Sequence, residues 1–385
     1  MGSSLPLQPL PLSAGLQERQ ITSSASDLSY HIIESGSKGN PLIILLHGFP
    51  ELAYSWRKVM PALAKPGFYV VAFDQRGYGR TTGWDASCFQ GVDLRTFAQT
   101  NLVRDVIVLV QRLGYNKVEC IVGHDFGCVP ASLAALSRPD VFRQVVLLGA
   151  PFLGPPRLPF DIAPERDLLP AMPDLHEELR RLDPPRKHYR WYYSTAEANK
   201  EMAPKEGLFE FLRGYFHLKS ADAHNNPRPL KEMTAKELAI LPHYYVMPLE
   251  LGMRDTVAQD MTEEETEQMR EKSPRWFPDA ELDIYVSEFG RTGFQGGLNW
   301  YRVITNPELQ RDIDIFAGKK VEVPLLYITG TKDWLIYQHP GSIDKMKEAC
   351  TDFRGVKWVE DAGHWVQQEK PETVVERILE FLGKQ

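Results

Sequence analysis

Residues 121–128 place an acidic side chain between two glycines, in the order Gly123-His124-Asp125-Phe126-Gly127. An apolar run precedes them and predicts a buried strand, and the residues after them predict a helix. This spacing is typical of a sharp strand-to-helix turn, where glycines remove Cβ atoms that would clash. An ionised carboxylate there can attack carbon directly and form an ester. Asp125 is therefore the candidate nucleophile, and the alternative is an aspartate that only caps the helix.

His364 and Asp333 are the candidate partners of Asp125. His364 lies in Gly363-His364-Trp365, before the closing helix, and Asp333 follows a predicted strand over residues 323–329. Parallel strands gather chemistry at their carboxyl ends, so we expect both side chains beside Asp125. There His364 can act as a general base, and Asp333 can hold the imidazole tautomer. The alternative for His364 is an ordinary histidine, since the chain has ten.

Hydrolysis of an ester on Asp125 also needs donors for a developing oxyanion. The backbone N–H of Phe126, directly after the nucleophile, is the first expected donor. The second is expected from the loop after the apolar run 41–46, at Phe49. Without the predicted turn at Asp125, both residues would be interpreted as ordinary turn positions.

The elements that must position these groups alternate between two patterns. Short continuous apolar runs, each followed by a turn, predict parallel strands covered on both faces, at 41–46, 69–73, 118–122, 145–148, 323–328 and 356–359. Residues 20–24 and 28–33 predict a hairpin, and residues 97–113 predict an amphipathic helix that ends at Gly114. The fold class is therefore α/β, with a mostly parallel, doubly wound sheet flanked by helices.

The buried-strand pattern is interrupted over residues 152–303, which are rich in helical and aromatic sequence. We interpret this stretch as an inserted helical lid, or cap, between the two parts of one core, residues 16–151 and 304–385. Residues 1–15 have no long apolar run and predict a flexible arm. Thr262 and Glu265 have the spacing of a capping box at a helix start.

Composition excludes several classes of function. The chain has 385 residues, a formal net charge of −7 and no basic excess that would attract nucleic acid. It shows no membrane span or secretory signal. Its four cysteines have no metal-like spacing, which predicts no metal and fits the reducing cytoplasm. The sequence implies no cofactor, and it leaves open whether the protein is a monomer or a dimer.

Together these motifs resemble the epoxide hydrolases of the α/β-hydrolase fold. The resemblance rests on His47-Gly48-Phe49-Pro50-Glu51, Gly77-Tyr78-Gly79, Gly123 to Gly127 and Gly363-His364-Trp365, and it extends from residue 41 to the carboxyl end. The chain departs from the common Asp-Trp-Gly-Gly order, since Phe126 and Cys128 replace Trp and the second Gly. The lid segment 214–281 is also longer than in compact members of the family.

Two lid motifs extend the resemblance and imply two tyrosines that activate the epoxide oxygen. Tyr189-x-x-Tyr192-Tyr193 resembles the first motif and implies Tyr192, with Tyr189 and Tyr193 as alternatives. Residues 293–302 resemble the second motif and imply Tyr301. The aromatic content predicts a mostly apolar substrate pocket formed by Phe49, Pro50, Trp191, Trp300 and Trp365. The alternative is that the tyrosines only line this pocket.

The resemblance implies a hydrolase that converts lipophilic epoxides to vicinal diols, with water as the second substrate and a role in detoxification. Asp125 would form a hydroxyalkyl ester, and His364 with Asp333 would activate water to hydrolyse it. The first alternative is a haloalkane or haloacid dehalogenase, which shares the aspartate but needs donors for a halide, and Phe126 has none in its side chain. The second is a ligand-binding protein that has lost catalysis, since a fold does not fix a function.

Overall fold

The computed structural model describes residues 7–155 and 174–384. Ten strands are present in these ranges, and eight of them form one sheet. The strands are β1 (Gln17–Thr22), β2 (Ser29–Ser35), β3 (Leu42–Leu46), β4 (Tyr69–Phe73), β5 (Cys120–His124), β6 (Val145–Leu148), β7 (Arg186–His188), β8 (Val246–Pro248), β9 (Leu325–Gly330) and β10 (Phe353–Val359).

The large sheet has the order β1-β2-β4-β3-β5-β6-β9-β10. Strands β4, β3, β5, β6, β9 and β10 are parallel, and the hairpin β1–β2 adds an antiparallel edge. The order of the strands reverses at β3, because the next strand, β4, lies on one side of it and β5 lies on the other. Chemistry in an open sheet of this kind gathers at the carboxyl ends of its strands, which here include the end of β5 at Asp125.

Helices cover both faces of the sheet and form most of the lid. In the described ranges they are α1 (Met60–Ala64), α2 (Gln99–Arg112), α3 (Cys128–Ser137), α4 (Leu175–Arg180), α5 (Tyr189–Tyr193), α6 (Ala196–Met202), α7 (Leu208–Leu218), α8 (Ala235–Leu238), α9 (Met253–Asp260), α10 (Glu263–Lys272), α11 (Asp279–Thr292), α12 (Gln295–Ile304), α13 (Pro307–Gln310), α14 (Ser342–Glu348), α15 (Val366–Glu369) and α16 (Pro371–Phe381). The predicted helix start at Thr262 is confirmed, because its hydroxyl accepts the Glu265 N–H at 3.2 Å. No helix among the described residues is both long and apolar enough to cross a membrane.

The core is split by the sheet into two apolar layers, as the period of a strand requires. In β3, Ile43 and Leu45 face one layer, and Leu42, Ile44 and Leu46 face the other. All five are at most 1% exposed, so β3 is apolar without alternation.

The lid shares the first of these layers with the core. Phe216, Tyr285 and Trp300 from the lid belong to the same apolar cluster as Phe49 and Trp56 from the core. Burial of large apolar side chains contributes about 25 cal/mol per Å² removed from water. The lid is therefore held over the sheet by continuous packing.

Two details differ from the sequence predictions. The insertion is not entirely helical, because β7 and β8 pair as a short antiparallel sheet from Arg186↔Pro248 to His188↔Val246. Each of these strands has three residues, too few to show a period in the sequence. The predicted flexible arm is described only from residue 7, and there Leu10 is buried in the core, with its N–H bonded to Glu18 at 2.7 Å. The domain boundaries remain predictions, and part of the predicted lid, 156–173, lies outside the described residues.

Candidate active site

Asp125 occupies the turn between β5 and α3. A single turn of 3-10 helix spans Asp125–Gly127, and Asp125 has a φ of 49°. A Cβ at Gly127 would lie 2.4 Å from the carbonyl oxygen of Leu46, and a Cβ at Gly48 would lie 2.4 Å from the Cβ of Asp125. A Cβ at Gly123 would lie 2.4 Å from the carbonyl oxygen of Gly127, so close backbone approach requires glycine at both ends of the Gly123 to Gly127 pattern.

His364 and Asp333 lie beside Asp125, as the sequence predicts. Asp333 follows β9, and His364 is in the loop after β10. The Nδ1 atom of His364 is 3.2 Å from Oδ2 of Asp333, and its Nε2 atom is 3.3 Å from Oδ2 of Asp125. Nε2 lacks the geometry of a hydrogen bond to any described residue. The imidazole is therefore oriented by Asp333 on one side, and on the other its buried Nε2 faces Asp125 without a hydrogen bond, where it can activate a water molecule.

The electrostatics of this group favour ionised carboxylates. Burial alone would raise the pKa of the Asp125 carboxyl, but the neighbouring His364 and Lys219 hold it well below its ordinary value. Burial likewise opposes ionisation of Asp333, but His364 and the N–H of Leu335, at 2.8 Å, lower its pKa. Asp125 is thus charged at neutral pH, as a carboxylate nucleophile must be.

One of the two predicted oxyanion donors reaches the carboxylate. The N–H of Phe49 donates to Oδ1 of Asp125 at 2.9 Å. No hydrogen bond joins the N–H of Phe126 to the same carboxylate, and the Phe126 ring packs on Tyr301 with centroids 4.8 Å apart. Phe49 therefore marks Oδ1 as the oxygen that the backbone stabilises, and the donor role of Phe126 stays a prediction.

A buried pair behind the catalytic group was not assigned a role from the sequence. Nδ1 of His124 lies 2.5 Å from Glu51, and its Nε2 lies 2.8 Å from the carbonyl oxygen of His364. Glu51 also accepts the N–H of Gly48 at 2.9 Å. The pair connects the backbone of the Phe49 loop with that of the His364 loop. Both residues lie in motifs that the sequence displays, but spacing alone does not join them.

Lys219 is a second residue that the sequence did not single out. It is 3% exposed, and its ammonium lies 5.1 Å from the ring centroids of Tyr215, Tyr245 and Trp365. Among the described residues no carboxylate lies within ion-pair distance of it, so the aromatic faces stabilise its charge. Burial lowers its pKa, and the charges of Asp125 and Asp333 oppose that effect. Its carbonyl oxygen accepts the N–H of His364 at 2.8 Å.

A cavity of about 250 Å³ opens above Asp125 toward the lid. Its lining combines Asp125 with two lid tyrosines, Tyr189 and Tyr301, whose ring centroids are 5.9 Å apart. Burial and the nearby Asp125 hold the pKa of Tyr301 well above its ordinary value, so its hydroxyl keeps its proton. The remainder of the described lining is Gln99, Phe126, Val129, Ala150, Arg190, Ile304, Gln310 and Leu335.

The placement of Tyr192 corrects one sequence prediction. Its hydroxyl donates to the Glu201 carboxylate, which lies on α6, and its side chain does not line the described cavity. Tyr193 is also directed elsewhere, since its hydroxyl donates to Tyr215 at 3.3 Å. Tyr189, the first of the alternatives, is the tyrosine of this motif that shares the cavity with Asp125. Local sequence could not separate the three, because the choice depends on the partner that each hydroxyl finds in the lid.

The predicted substrate-binding aromatics also need correction. The indole of Trp300 donates to the Arg76 carbonyl at 3.0 Å, and that of Trp365 donates to the Phe216 carbonyl at 2.8 Å. Trp191 packs on His176, with centroids 4.3 Å apart. None of the three lines the described cavity, nor does Pro50 or the Phe49 side chain. Trp300 and Trp365 instead join the lid to the core, because their N–H groups need buried partners.

Comparisons with known proteins agree with this geometry. A family profile described as alpha/beta hydrolase fold matches residues 41–371. Epoxide hydrolase A of Mycobacterium tuberculosis is 33% identical over 355 residues, which are 91% of this chain and 93% of that protein. Epoxide hydrolase B of the same organism is 32% identical over 346 residues, or 89% and 91% of the two chains.

A solved structure extends the agreement to three dimensions. An epoxide hydrolase from an endophytic Streptomyces is 26% identical and superimposes with a TM-score of 0.75, with 96% of each chain covered. The chain therefore belongs to the alpha/beta hydrolase fold family, within its epoxide hydrolases.

Proposed function

We propose that this enzyme converts epoxides to vicinal diols through a covalent ester on Asp125. The observation that carries the proposal is the shared cavity, which is lined by Asp125 from the core and by Tyr189 and Tyr301 from the lid. A nucleophile on one side and proton donors on the other are what an epoxide needs in order to open. The relatives named as epoxide hydrolases support the same reaction.

The first step forms the ester. Oδ2 of Asp125 attacks an epoxide carbon, and that carbon's bond to the ring oxygen breaks. Oδ1 becomes the ester carbonyl oxygen, since it already accepts the N–H of Phe49. Tyr189 and Tyr301 donate hydrogen bonds to the ring oxygen as it gains negative charge, and one of them supplies a proton. The raised pKa of Tyr301 keeps that proton available before the ring opens.

The second step hydrolyses the ester. His364 takes a proton from water, which attacks the carboxyl carbon of Asp125, and Asp333 stabilises the imidazolium that forms. The oxyanion develops on Oδ1, where the N–H of Phe49 is already in place. The carbon–oxygen bond to the departing alkoxide then breaks, the alkoxide takes up a proton and leaves as the diol, and Asp125 retains one oxygen from water. The proton held by His364 balances the one that a lid tyrosine gave up in the first step, so both side chains return to their starting states. The positions of His364 and Asp333 support this assignment.

The alternatives are less favoured. A dehalogenase needs donors for a departing halide, and Phe126, directly after the nucleophile, offers none from its side chain. A cavity that holds an ionised carboxylate and two phenols suits an epoxide oxygen, which needs a proton, better than a halide, which needs none. A protein without catalysis would have no need for the polar groups that converge on Asp125.

The experiment that tests the proposal measures diol formation from aryl and alkyl epoxides, with a haloalkane in parallel. Asp125→Ala removes the nucleophile, and folding of the variant is checked by circular dichroism. We expect diol from the parent protein and none from the variant. Halide release without diol would support the dehalogenase, and a folded parent protein without either product would contradict catalysis.

A further inference from the structure

Arg190 is a cation in the described lining of the cavity that the mechanism does not use. It follows Tyr189 in α5, and its side chain lines the cavity together with Asp125 and Tyr301. Its Nε–H donates to the Tyr189 hydroxyl at 3.2 Å. No carboxylate in residues 7–155 or 174–384 lies within ion-pair distance of the guanidinium, and its two terminal nitrogens have no described hydrogen-bond partner.

The groups around Arg190 do not supply the missing negative charge. His188 and His339 are close enough to interact with it, and burial lowers the pKa of both side chains, that of His339 to about 3. Burial also lowers the pKa of His176 on α4. These imidazoles are therefore neutral at pH 7. Burial opposes the charge of Arg190 too, but Tyr189, Tyr301 and the Asp125 carboxylate raise its pKa, so the guanidinium stays charged.

Arg190 is partly exposed, so water solvates the guanidinium while the cavity is empty, and a ligand that displaces this water must offer a polar or negative group in its place. Asp125 does not act as a partner of the guanidinium, since its carboxylate is already bonded to Phe49 and faces His364. The terminal nitrogens of an arginine form a planar fork that matches a carboxylate with two parallel hydrogen bonds. The free side of Arg190 therefore has the chemistry of a carboxylate-binding site.

We propose that Arg190 binds a carboxylate on the substrate, so that the enzyme acts preferentially on epoxy acids. This inference rests on the proposed function and specifies its substrate class. The apolar part of the lining, which includes Val129, Ile304 and Leu335, would hold the hydrocarbon part of the same molecule. The substrate would thus combine an apolar body with one acidic group, and Arg190 would determine specificity.

The distances restrict where the acid can be. Tyr189 would contact the epoxide oxygen through the hydroxyl that also accepts from Arg190. The epoxide oxygen and the guanidinium are then separated by two hydrogen-bond lengths, roughly 6 Å. A carboxylate on the epoxide carbon, or within about three bonds of it, meets this spacing. The carboxylate of the substrate and Asp125 repel each other, and Arg190 would offset this repulsion. An uncharged amide in place of the carboxylate would not experience the repulsion.

The experiment compares a matched pair of substrates, 3-phenylglycidate and 3-phenylglycidamide, which differ in charge but little in shape. The wild-type ratio of kcat/KM, acid over amide, is measured first and then in Arg190→Met. We expect the wild type to prefer the acid, and the ratio to fall about 10- to 100-fold in the variant. Loss of the hydrogen bond to Tyr189 slows both substrates, so the ratio isolates recognition of the anion.

Two further variants calibrate the result. Arg190→Lys keeps the charge without the planar fork and should retain part of the preference. Arg275→Met removes an arginine that is 69% exposed on the lid, and it should leave the ratio unchanged. Equal wild-type values of kcat/KM for the acid and the amide would overturn the inference. An Arg190→Met variant that keeps the wild-type ratio would overturn it too.

Inhibition of the wild type provides a measurement that needs no variant. The dihydroxy acid formed from 3-phenylglycidate and its amide are compared as inhibitors of styrene oxide hydrolysis. The acid should bind at least tenfold more tightly, and equal inhibition would contradict a carboxylate site. If the wild type hydrolyses no epoxide at all, the proposed function fails instead, and binding of the dihydroxy acid by calorimetry still tests Arg190.

Discussion

The two sides of the cavity are held in place by different forces. The core side, here called the floor, consists of Asp125, which lines the cavity, and of the groups that support it, His364, Asp333 and the Phe49 N–H; it is fixed by backbone hydrogen bonds and charge pairs. The roof, formed by Tyr189, Tyr301 and Arg190 on the lid, is fixed by aromatic packing, as between Tyr301 and Phe49 with centroids 5.4 Å apart. The floor is thus organised before substrate arrives, and the roof leaves polar groups open to it.

This difference explains the separate roles of the floor and the roof in catalysis. Charge that develops on Asp125 meets donors that are already oriented, so little reorganisation is needed. The hydroxyl of Tyr301 has no hydrogen-bond partner among the described residues, so it can bind an epoxide oxygen without losing an earlier contact. The variants described below test this division, in order of decreasing expected effect.

His364→Gln should stop hydrolysis of the ester on Asp125 without preventing its formation. The variant keeps a side chain of similar reach but cannot take a proton from water, so we expect turnover to fall by about 10⁴-fold or more. The ester on Asp125 should accumulate and appear in intact-protein mass spectrometry as the mass of one added epoxide. An unmodified mass after exposure to a substrate that the parent hydrolyses would refute the covalent scheme.

Phenylalanine variants of the lid tyrosines test which hydroxyls form the roof. Tyr301→Phe and Tyr189→Phe each remove a donor to the ring oxygen, and ester formation should slow by about 10- to 1000-fold, measured in single-turnover kinetics. Tyr192→Phe removes contacts of that hydroxyl with Glu201 and with the backbone of Met253, and it should change that rate less than about threefold. A large kinetic effect of Tyr192→Phe would restore the assignment that the sequence favoured.

Two glycine variants compare the stability of floor and roof. A Cβ at Gly127 meets the carbonyl oxygen of Leu46 at 2.4 Å, and Gly127→Ala should lower the free energy of unfolding by about 2–4 kcal/mol. A Cβ at Gly297 in α12 meets side-chain atoms of Tyr78 and Phe49, at 2.8 and 2.9 Å, which can shift. Since alanine also favours the helix, Gly297→Ala should cost less than about 1.5 kcal/mol. Urea denaturation measures both, and the reverse order would contradict the comparison.

The last prediction concerns Asp74, a buried carboxylate directly after β4. Burial would raise the pKa of Asp74, but His31 and the N–H groups of Ala53 and Arg80 lower it to about 2. Because the folded pKa is depressed, this stabilisation is present above about pH 4 and is lost as the pH falls toward 2. It should amount to about 2 kcal/mol in the free energy of unfolding.

Chemical denaturation between pH 5 and pH 2.5 measures this dependence. Asp74→Asn should flatten the stability profile in that range, because the asparagine does not titrate. Asp283→Asn changes an exposed carboxylate on α11 and serves as the charge-matched control. An unchanged profile in Asp74→Asn would show that other carboxylates dominate the acid response.

The sequence predicted the strands of the sheet and the residues of the floor because both follow local rules. Buried parallel strands are continuous apolar runs, and the turn at Asp125 needs glycine at fixed positions. The roof was harder, because Tyr189, Tyr192 and Tyr193 are equivalent in composition and differ only in the partners that the folded lid provides. Arg190 and Lys219 were not recognised as functional for the same reason, since a missing carboxylate is a property of three-dimensional surroundings.

The order of strands also has a consequence for synthesis of the chain. β6 pairs directly with β9, although about 180 residues separate them in the sequence. At 5–20 residues per second, a ribosome needs roughly 10–40 s to make the intervening segment. During that interval β6 is an unpaired sheet edge, and the nucleophile exists without its base. The enzyme therefore gains a complete active site only after its last strands emerge. Until then the unpaired edge of β6 could pair with other chains, so this edge is where binding of a chaperone would be most useful.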